Sequence, residues 1–188
     1  MQFVEKELKG VYEITLKPNR DERGFFMRTW DKDLFAEASL DLNWVQENHS
    51  YSTTKGTIRG MHFQFPPFGE AKMLRAAVGE VFECCVDLRK GSPTFGKWCG
   101  VTLSAEKANW ILIPRGFGAG MCTLSDEAHV MYKADGAYSP GNEASIMWDD
   151  PDIGIEWPLD VEPTISARDA AAMSFAQFVS SHGGLDAG

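Results

Sequence analysis

Lys55-Gly56-Thr57-Ile58-Arg59-Gly60-Met61-His62-Phe63-Gln64-Phe65-Pro66-Pro67-Phe68-Gly69 carries a strand bounded on both sides by turns. The run Thr57–Gln64 lies between a Lys-Gly turn and a Pro-Pro turn, too short for a typical helix and well bounded for a strand. On either side, similar runs recur at Trp44–Ser50, Lys72–Val78, Glu80–Leu88, Lys97–Leu103, Trp110–Ile113 and His129–Ala134. Gly79, Gly91-Ser92-Pro93 and Pro114-Arg115-Gly116 punctuate them. Strands at that spacing predict a sandwich or barrel rather than alternating strand and helix. Helix is confined to short pieces near Asp33–Ser39 and Ser166–Val179. Residues 1–188 read as one all-β domain, with a polar, glycine-rich tail from about Ser180 that is expected to fray. A two-sheet or closed β fold with polar residues facing inward is a natural container for a small ligand.

The net charge of −9 disfavours a nucleic-acid partner, which normally meets a basic footprint. It leaves room for an anionic small ligand, because a few arginines make a local positive pocket in an acidic protein. No apolar run approaches the roughly 20 residues that span a bilayer, and Met1-Gln2-Phe3-Val4-Glu5-Lys6-Glu7 lacks the pattern of a secretory signal. Cys84, Cys85, Cys99 and Cys122 form no C-x-x-C pair, so they read as reduced thiols of a cytoplasmic protein.

The histidines are His49, His62, His129 and His182. Strict alternation puts Ile58, His62 and Gln64 on one face of their strand, with Gly60 between them. A lone strand histidine is more often structural than catalytic. Gln46 and Asn48 share a face of the preceding strand, Lys72 opens the following one, and Tyr132 lies on a later one. Each of these has an ordinary structural reading of its own. A metal centre is disfavoured: the stretch offers His62-x-Gln64 instead of a histidine pair, and no histidine follows Pro114-Arg115-Gly116-Phe117.

Several motifs in order resemble the dTDP-4-dehydrorhamnose 3,5-epimerase family of the cupin superfamily. They are Asp21-Glu22-Arg23-Gly24-Phe25-Phe26, Val45-Gln46-Glu47-Asn48-His49-Ser50, Gly56–Gln64 and Val86-Asp87-Leu88-Arg89-Lys90-Gly91-Ser92-Pro93-Thr94-Phe95-Gly96. Ile113-Pro114, Tyr132-Lys133, Tyr138-Ser139-Pro140 and Trp148-Asp149-Asp150-Pro151 continue the match, which spans roughly residues 8 to 170. The resemblance implies a jelly-roll (double-stranded β-helix) barrel with short peripheral helices. It implies a homodimer, no cofactor, and a nucleotide-diphosphate 4-keto sugar as substrate, inverted at C3 and/or C5. Residue by residue, it implies His62 as base with Asp169, Tyr132 as acid on the opposite face, and Lys72 at the enolate oxygen. Arg23, Phe26, Gln46, Asn48 and Arg59 fall at nucleotide or pyrophosphate contacts, with Tyr138 in a matched motif and Glu143 on the sugar side.

These residue types suit the chemistry. A proton beside a ketone is weakly acidic, and its loss leaves charge on oxygen that a fixed cation stabilises. Histidine titrates near neutrality and can take that proton, and a carboxylate would orient the ring. Arg59 and His62, however, have opposite strand parity, so both reach one pocket only if the strand bends or bulges. Ser166-x-x-Asp169 also resembles a helix-capping sequence, an alternative reading of Asp169.

Two positions depart from the family pattern. Arg28 stands where an acidic residue ends Arg-Gly-x-Phe-x-Glu, and Ala119 stands where a histidine occurs in Phe-Ala-His-Gly-Phe. A donor-only fork in place of an acceptor suits cytosine or guanine better than thymine, so the carrier is CDP or GDP, or else Arg28 turns to phosphate or solvent. Ala119 leaves space beside the sugar, which fits a bulkier sugar or inversion of one centre only. Alternatives are a non-catalytic sugar-nucleotide-binding barrel and a metal-dependent oxygenase.

Overall fold

β-branched and aromatic runs that alternate in and out must bury one face, and here two sheets bury theirs against each other. The structure is a computed structural model and describes residues 1–186. Two N-terminal strands, β1 (Gln2–Glu5) and β2 (Tyr12–Thr15), precede a small hairpin, β3 (Asn19–Asp21) with β4 (Gly24–Phe26), and helix α1 (Lys32–Glu37). The core strands are β5 (Gln46–Ser52), β6 (Thr57–Gln64), β7 (Lys72–Val78), β8 (Glu80–Asp87), β9 (Trp98–Ser104), β10 (Asn109–Ile113), β11 (Phe117–Thr123) and β12 (Ala128–Ala134). After them come β13 (Glu143–Ser145), β14 (Thr164–Ile165), α2 (Ala167–Ala170) and α3 (Phe175–His182).

Among the core strands, β5 pairs with β12, β6 with β11, β7 with β10 and β8 with β9, all antiparallel. This is one long hairpin of strands rolled on itself. It yields one sheet ordered β1-β2-β10-β7-β12-β5 and a second ordered β13-β6-β11-β8-β9. The architecture is the expected all-β jelly roll with short peripheral helices. Between the sheets lie Leu74, Val81, Cys85, Ile111, Phe117 and Val130. The first sheet's outer side is covered by α1 and the N-terminal segment around Phe35 and Trp110, and the second's by α3 through Phe178.

Asp87 closes the β8–β9 connection. Burial pushes its carboxyl up, but hydrogen bonds from Arg89, Ser92 and Thr94 outweigh that and hold it at about 2. The conspicuous Val86–Gly96 motif is thereby accounted for as architecture.

β11 was not expected from the sequence, because Gly118 and Gly120 interrupt any apolar alternation. All seven of its residues are nevertheless buried. The glycines are there because β6 presses against this strand: a Cβ on Gly120 would lie 2.5 Å from Met61 Sδ. The expected helix Ser166–Val179 is also corrected. It breaks into α2 and α3, because Met173 leaves the helical path to bond with Ser145 and Met147, and Ser174 starts a new helix with a reciprocal capping box to Gln177. Nor does the tail fray from Ser180: Leu185 is buried and exchanges backbone hydrogen bonds with Leu88 and Lys90. Ala187 and Gly188 lie outside the described residues.

The parity conflict in β6 is resolved by a bulge. His62 pairs with Ala119, but Arg59 pairs with Met121 and Ile58 with Cys122, so the register shifts by one residue between them. Arg59 therefore joins His62 on the inner face, and Ile58, expected there by strict alternation, turns away. Gly60 has φ +145°, and a Cβ on it would fall 2.5 Å from Gly120 Cα. Only glycine fits that conformation and that approach. Gly60→Ala should cost about 3 kcal/mol or more, lowering Tm by roughly 6–12 °C in a thermal melt. A Tm within 2 °C of the parent, as an order-of-magnitude threshold, would contradict the role assigned to the bulge.

Candidate active site

The inner faces of the two sheets enclose a cavity of about 310 Å³. The second sheet contributes Arg59 and His62 from β6, Ala119 and Met121 from β11, and Glu83 from β8. The first sheet contributes Lys72 and Leu74 from β7, Tyr132 and Val130 from β12, and Ser50 from β5. Glu143, Arg168 and Asp169 close one side.

His62 and Asp169 are 107 residues apart in the chain, yet His62 Nε2 lies 2.6 Å from Asp169 Oδ1. The short strand β14 makes this possible. It runs parallel to the start of β6, with Ile165 opposite Ile58, and so delivers α2 beside His62. Ser166 caps α2, its Oγ accepting from the Asp169 backbone N–H at 3.1 Å. The cap belongs to Ser166, and the Asp169 carboxylate is left for the imidazole. Bonded in this way, Nε2 carries the proton and Nδ1 keeps the lone pair that can accept one.

Lys72 faces this dyad from the other sheet, and its Nζ lies 3.2 Å from Glu70 Oε1. The Tyr132 phenol is pushed above the usual tyrosine value, first by burial and then by Glu70 and Glu143. It therefore stays protonated through the neutral range. On the closing side, Arg168 Nη2 lies 2.8 Å from Glu143 Oε1, and Tyr138 Oη donates to Glu143 Oε2 at 2.9 Å. Burial pushes the Glu143 carboxyl up, but those two partners win and keep it below its ordinary value. Arg59 donates from Nη2 to the Tyr51 carbonyl at 3.1 Å, which holds its guanidinium at the cavity wall.

Of the residues expected from the sequence, His62, Lys72, Tyr132, Asp169, Arg59, Ala119 and Glu143 line this cavity. Tyr138 borders it through Glu143. Gln46 and Asn48 lie along β5 beside it: Gln46 Nε2 donates to the Gly136 carbonyl at 2.9 Å, and Asn48 pairs with Tyr132. Arg23, Phe26 and Arg28 are not brought there. Arg23 pairs with Asp21 on the β3–β4 hairpin, where Phe26 is 70% exposed, and Arg28 Nη1 donates to Asp31 at 2.7 Å. The hairpin lines a separate surface recess of about 410 Å³. The sequence reading missed Ser50, Glu83, Met121 and Arg168. A glutamate at inner parity between Val81 and Cys85, amid the apolar run Val81–Val86, is the signal that would have found Glu83. Among the described residues no three or more His, Cys, Asp or Glu gather as a metal-binding group.

Residues 5–177 match the family described as dTDP-4-dehydrorhamnose 3,5-epimerase. The chain belongs to this family. A dTDP-4-dehydrorhamnose 3,5-epimerase of Salmonella typhimurium is 50% identical over 92% of this chain and 94% of its own. A dTDP-4-dehydrorhamnose 3-epimerase of Streptomyces niveus is 39% identical over 90% of this chain and 82% of its own. NovW, a 4-keto-6-deoxy sugar epimerase from the novobiocin biosynthetic gene cluster of Streptomyces spheroides, superposes with a TM-score of 0.93 at 36% identity, covering 99% of this chain and 93% of that one. The jelly roll is thus the cupin-type barrel of this epimerase family.

Asp169→Asn keeps the cap at Ser166 but removes the charge that holds the ring. It should lower kcat on the order of 10²–10⁴-fold with little change in Tm. Wild-type turnover by this variant would break the link between the dyad and catalysis.

Proposed function

We propose that the chain epimerises a nucleotide-diphosphate-linked 4-keto-6-deoxy sugar at C3 and/or C5. One observation carries the reading: a histidine–carboxylate dyad on one wall of a cavity that faces a protonated tyrosine and a lysine on the other. His62 Nδ1 takes the proton from the carbon beside the ketone, and the C–H electron pair moves through the carbon framework onto O4. Lys72 stabilises the resulting enolate, and Asp169 stabilises the imidazolium. The enolate then collapses, and its carbon takes the phenolic proton of Tyr132 from the opposite face, which inverts the centre. The imidazolium loses its proton to solvent and the phenolate regains one. Only protons move, so the cycle calls for no organic cofactor.

Arg59 and Arg168 place positive charge at the cavity of an acidic chain, which suits a diphosphate. The β3–β4 hairpin supports a homodimer. Arg23 and Phe26 match nucleotide-contacting positions yet lie apart from their own cavity, and Phe25 and Phe26 expose apolar surface. A hairpin that reaches into the partner subunit's cavity accounts for both facts. Arg28, paired with Asp31 at its base, then faces the base or phosphate of the partner's nucleotide, so the carrier is CDP or GDP as readily as dTDP. Ala119 beside His62 favours a second reading, inversion of one centre only, and a 3-epimerase among the relatives gives that reading weight. Among the described residues no helix is long and apolar enough to cross a membrane, and four buried free thiols fit a reducing cytoplasm.

The test offers 4-keto-6-deoxy sugars on dTDP, CDP and GDP in D2O and follows deuterium by NMR. Exchange at both C3 and C5 identifies a double epimerase, and exchange at one identifies a mono-epimerase. Binding without exchange on any carrier would leave a silent sugar-nucleotide-binding barrel and contradict the proposal.

A further inference from the structure

Glu83 stands out because no step above uses it. It is 1% exposed, on the interior strand β8, and its side chain lines the cavity. Its Oε2 is buried without a hydrogen-bond partner. Leaving such an atom unpaired costs about 1–3 kcal/mol, and a methionine would fill the same volume without that cost. A polar atom aimed into a ligand cavity with nothing to bond is best explained by a partner that arrives with the ligand.

The charges around it decide which form of the carboxyl meets that ligand. From the opposite sheet come Lys72 and Tyr132, and from its own sheet Arg59 and His62, with Glu143 on the closing side. Lys72 is the cation whose field reaches Glu83, and its ammonium is already paired with Glu70. One ammonium thus serves two carboxyls, and Glu83 is the more deeply buried of the two. Burial accordingly pushes Glu83 well above the carboxylate range, and Lys72 only partly opposes this. A neutral carboxyl is a hydrogen-bond donor, which a carboxylate is not.

The register places that donor on the cavity face. Arg59, Met121 and Glu83 form one cross-strand row on the inner face, and His62, Ala119 and Cys85 form the next. Glu83 is thus two strands across and two residues along from His62, roughly 12 Å at the backbone, a span that a hexose ring and two side chains fill. We propose that Glu83 is a further catalytic residue, its carboxyl group donating a hydrogen bond to the sugar O4 beside Lys72 as the enolate forms. Two donors from opposite sheets then hold the oxygen on which the charge collects, and the unpaired Oε2 is satisfied only in the complex.

This inference rests on the epimerase reading, and the experiment separates the two. Deuterium exchange in D2O and thermal melts are measured for the parent, Glu83→Gln and Glu83→Met. The glutamine keeps a neutral donor and should hold kcat within about tenfold. The methionine should lower kcat on the order of 10²–10³-fold with KM changed far less, while Tm stays level or rises. Parent-like kcat in Glu83→Met overturns the inference alone. So does a Glu83→Gln that falls as far as the methionine variant, which would mark a carboxylate or a proton carrier. A lower Tm in Glu83→Met would mark a structural role and also overturn it. A parent that exchanges no carrier's sugar overturns both readings.

Discussion

The close approach of β6 to β11 at Gly60 and Gly120 governs the interior of the barrel. Where the two backbones approach this closely, neither strand has room for a Cβ. The register shift at the same place turns Arg59 and His62, three residues apart, onto one face. Without it the inner face would carry an isoleucine where a cation is needed beside the base. The glycines of β11 answer the same constraint from the other side. The packing rule that made this strand hard to recognise in the sequence is also what builds the cavity wall.

The electrostatics follow from what that wall faces. The chain carries a net charge of −9, yet Arg59, Lys72 and Arg168 converge on one cavity. Three glutamates accompany them, Glu83 and Glu143 in the cavity lining and Glu70 beside Lys72. Arg168 and Tyr138 hold Glu143 below the ordinary carboxylate value, Glu70 pairs with Lys72, and burial pushes Glu83 well up. Burial and partners thus move Glu83 and Glu143 in opposite directions, one toward a donor and the other toward a charged anchor. Tyr132 stays protonated in the same field, as a proton donor at neutral pH must.

Much of this was legible in the sequence. Strands whose apolar residues alternate were placed within two residues of their observed ends, as at Thr57–Gln64 and Lys72–Val78. β11 escaped because its packing removes the side chains that alternation depends on. The conflict between Arg59 and His62 was itself informative, since parity that fails at a glycine points to a bulge. Asp169 had two plausible roles, and the structure divides them between neighbours: Ser166 caps and Asp169 orients. The tail looked too polar to be ordered, but one leucine, Leu185, is enough to anchor it. Arg23, Phe26 and Arg28 could not be placed by pattern alone, because their position depends on a hairpin that projects from the chain's own fold.

The central claim is that protons leave one face of the sugar through His62 and return on the other through Tyr132. Deuterium incorporation and product stereochemistry in D2O for His62→Asn and Tyr132→Phe test it most directly. His62→Asn should show no exchange, and Tyr132→Phe should show exchange without inversion, because only the base's own face remains active. Parent-like exchange in His62→Asn, or inverted product at the parent rate in Tyr132→Phe, would contradict it.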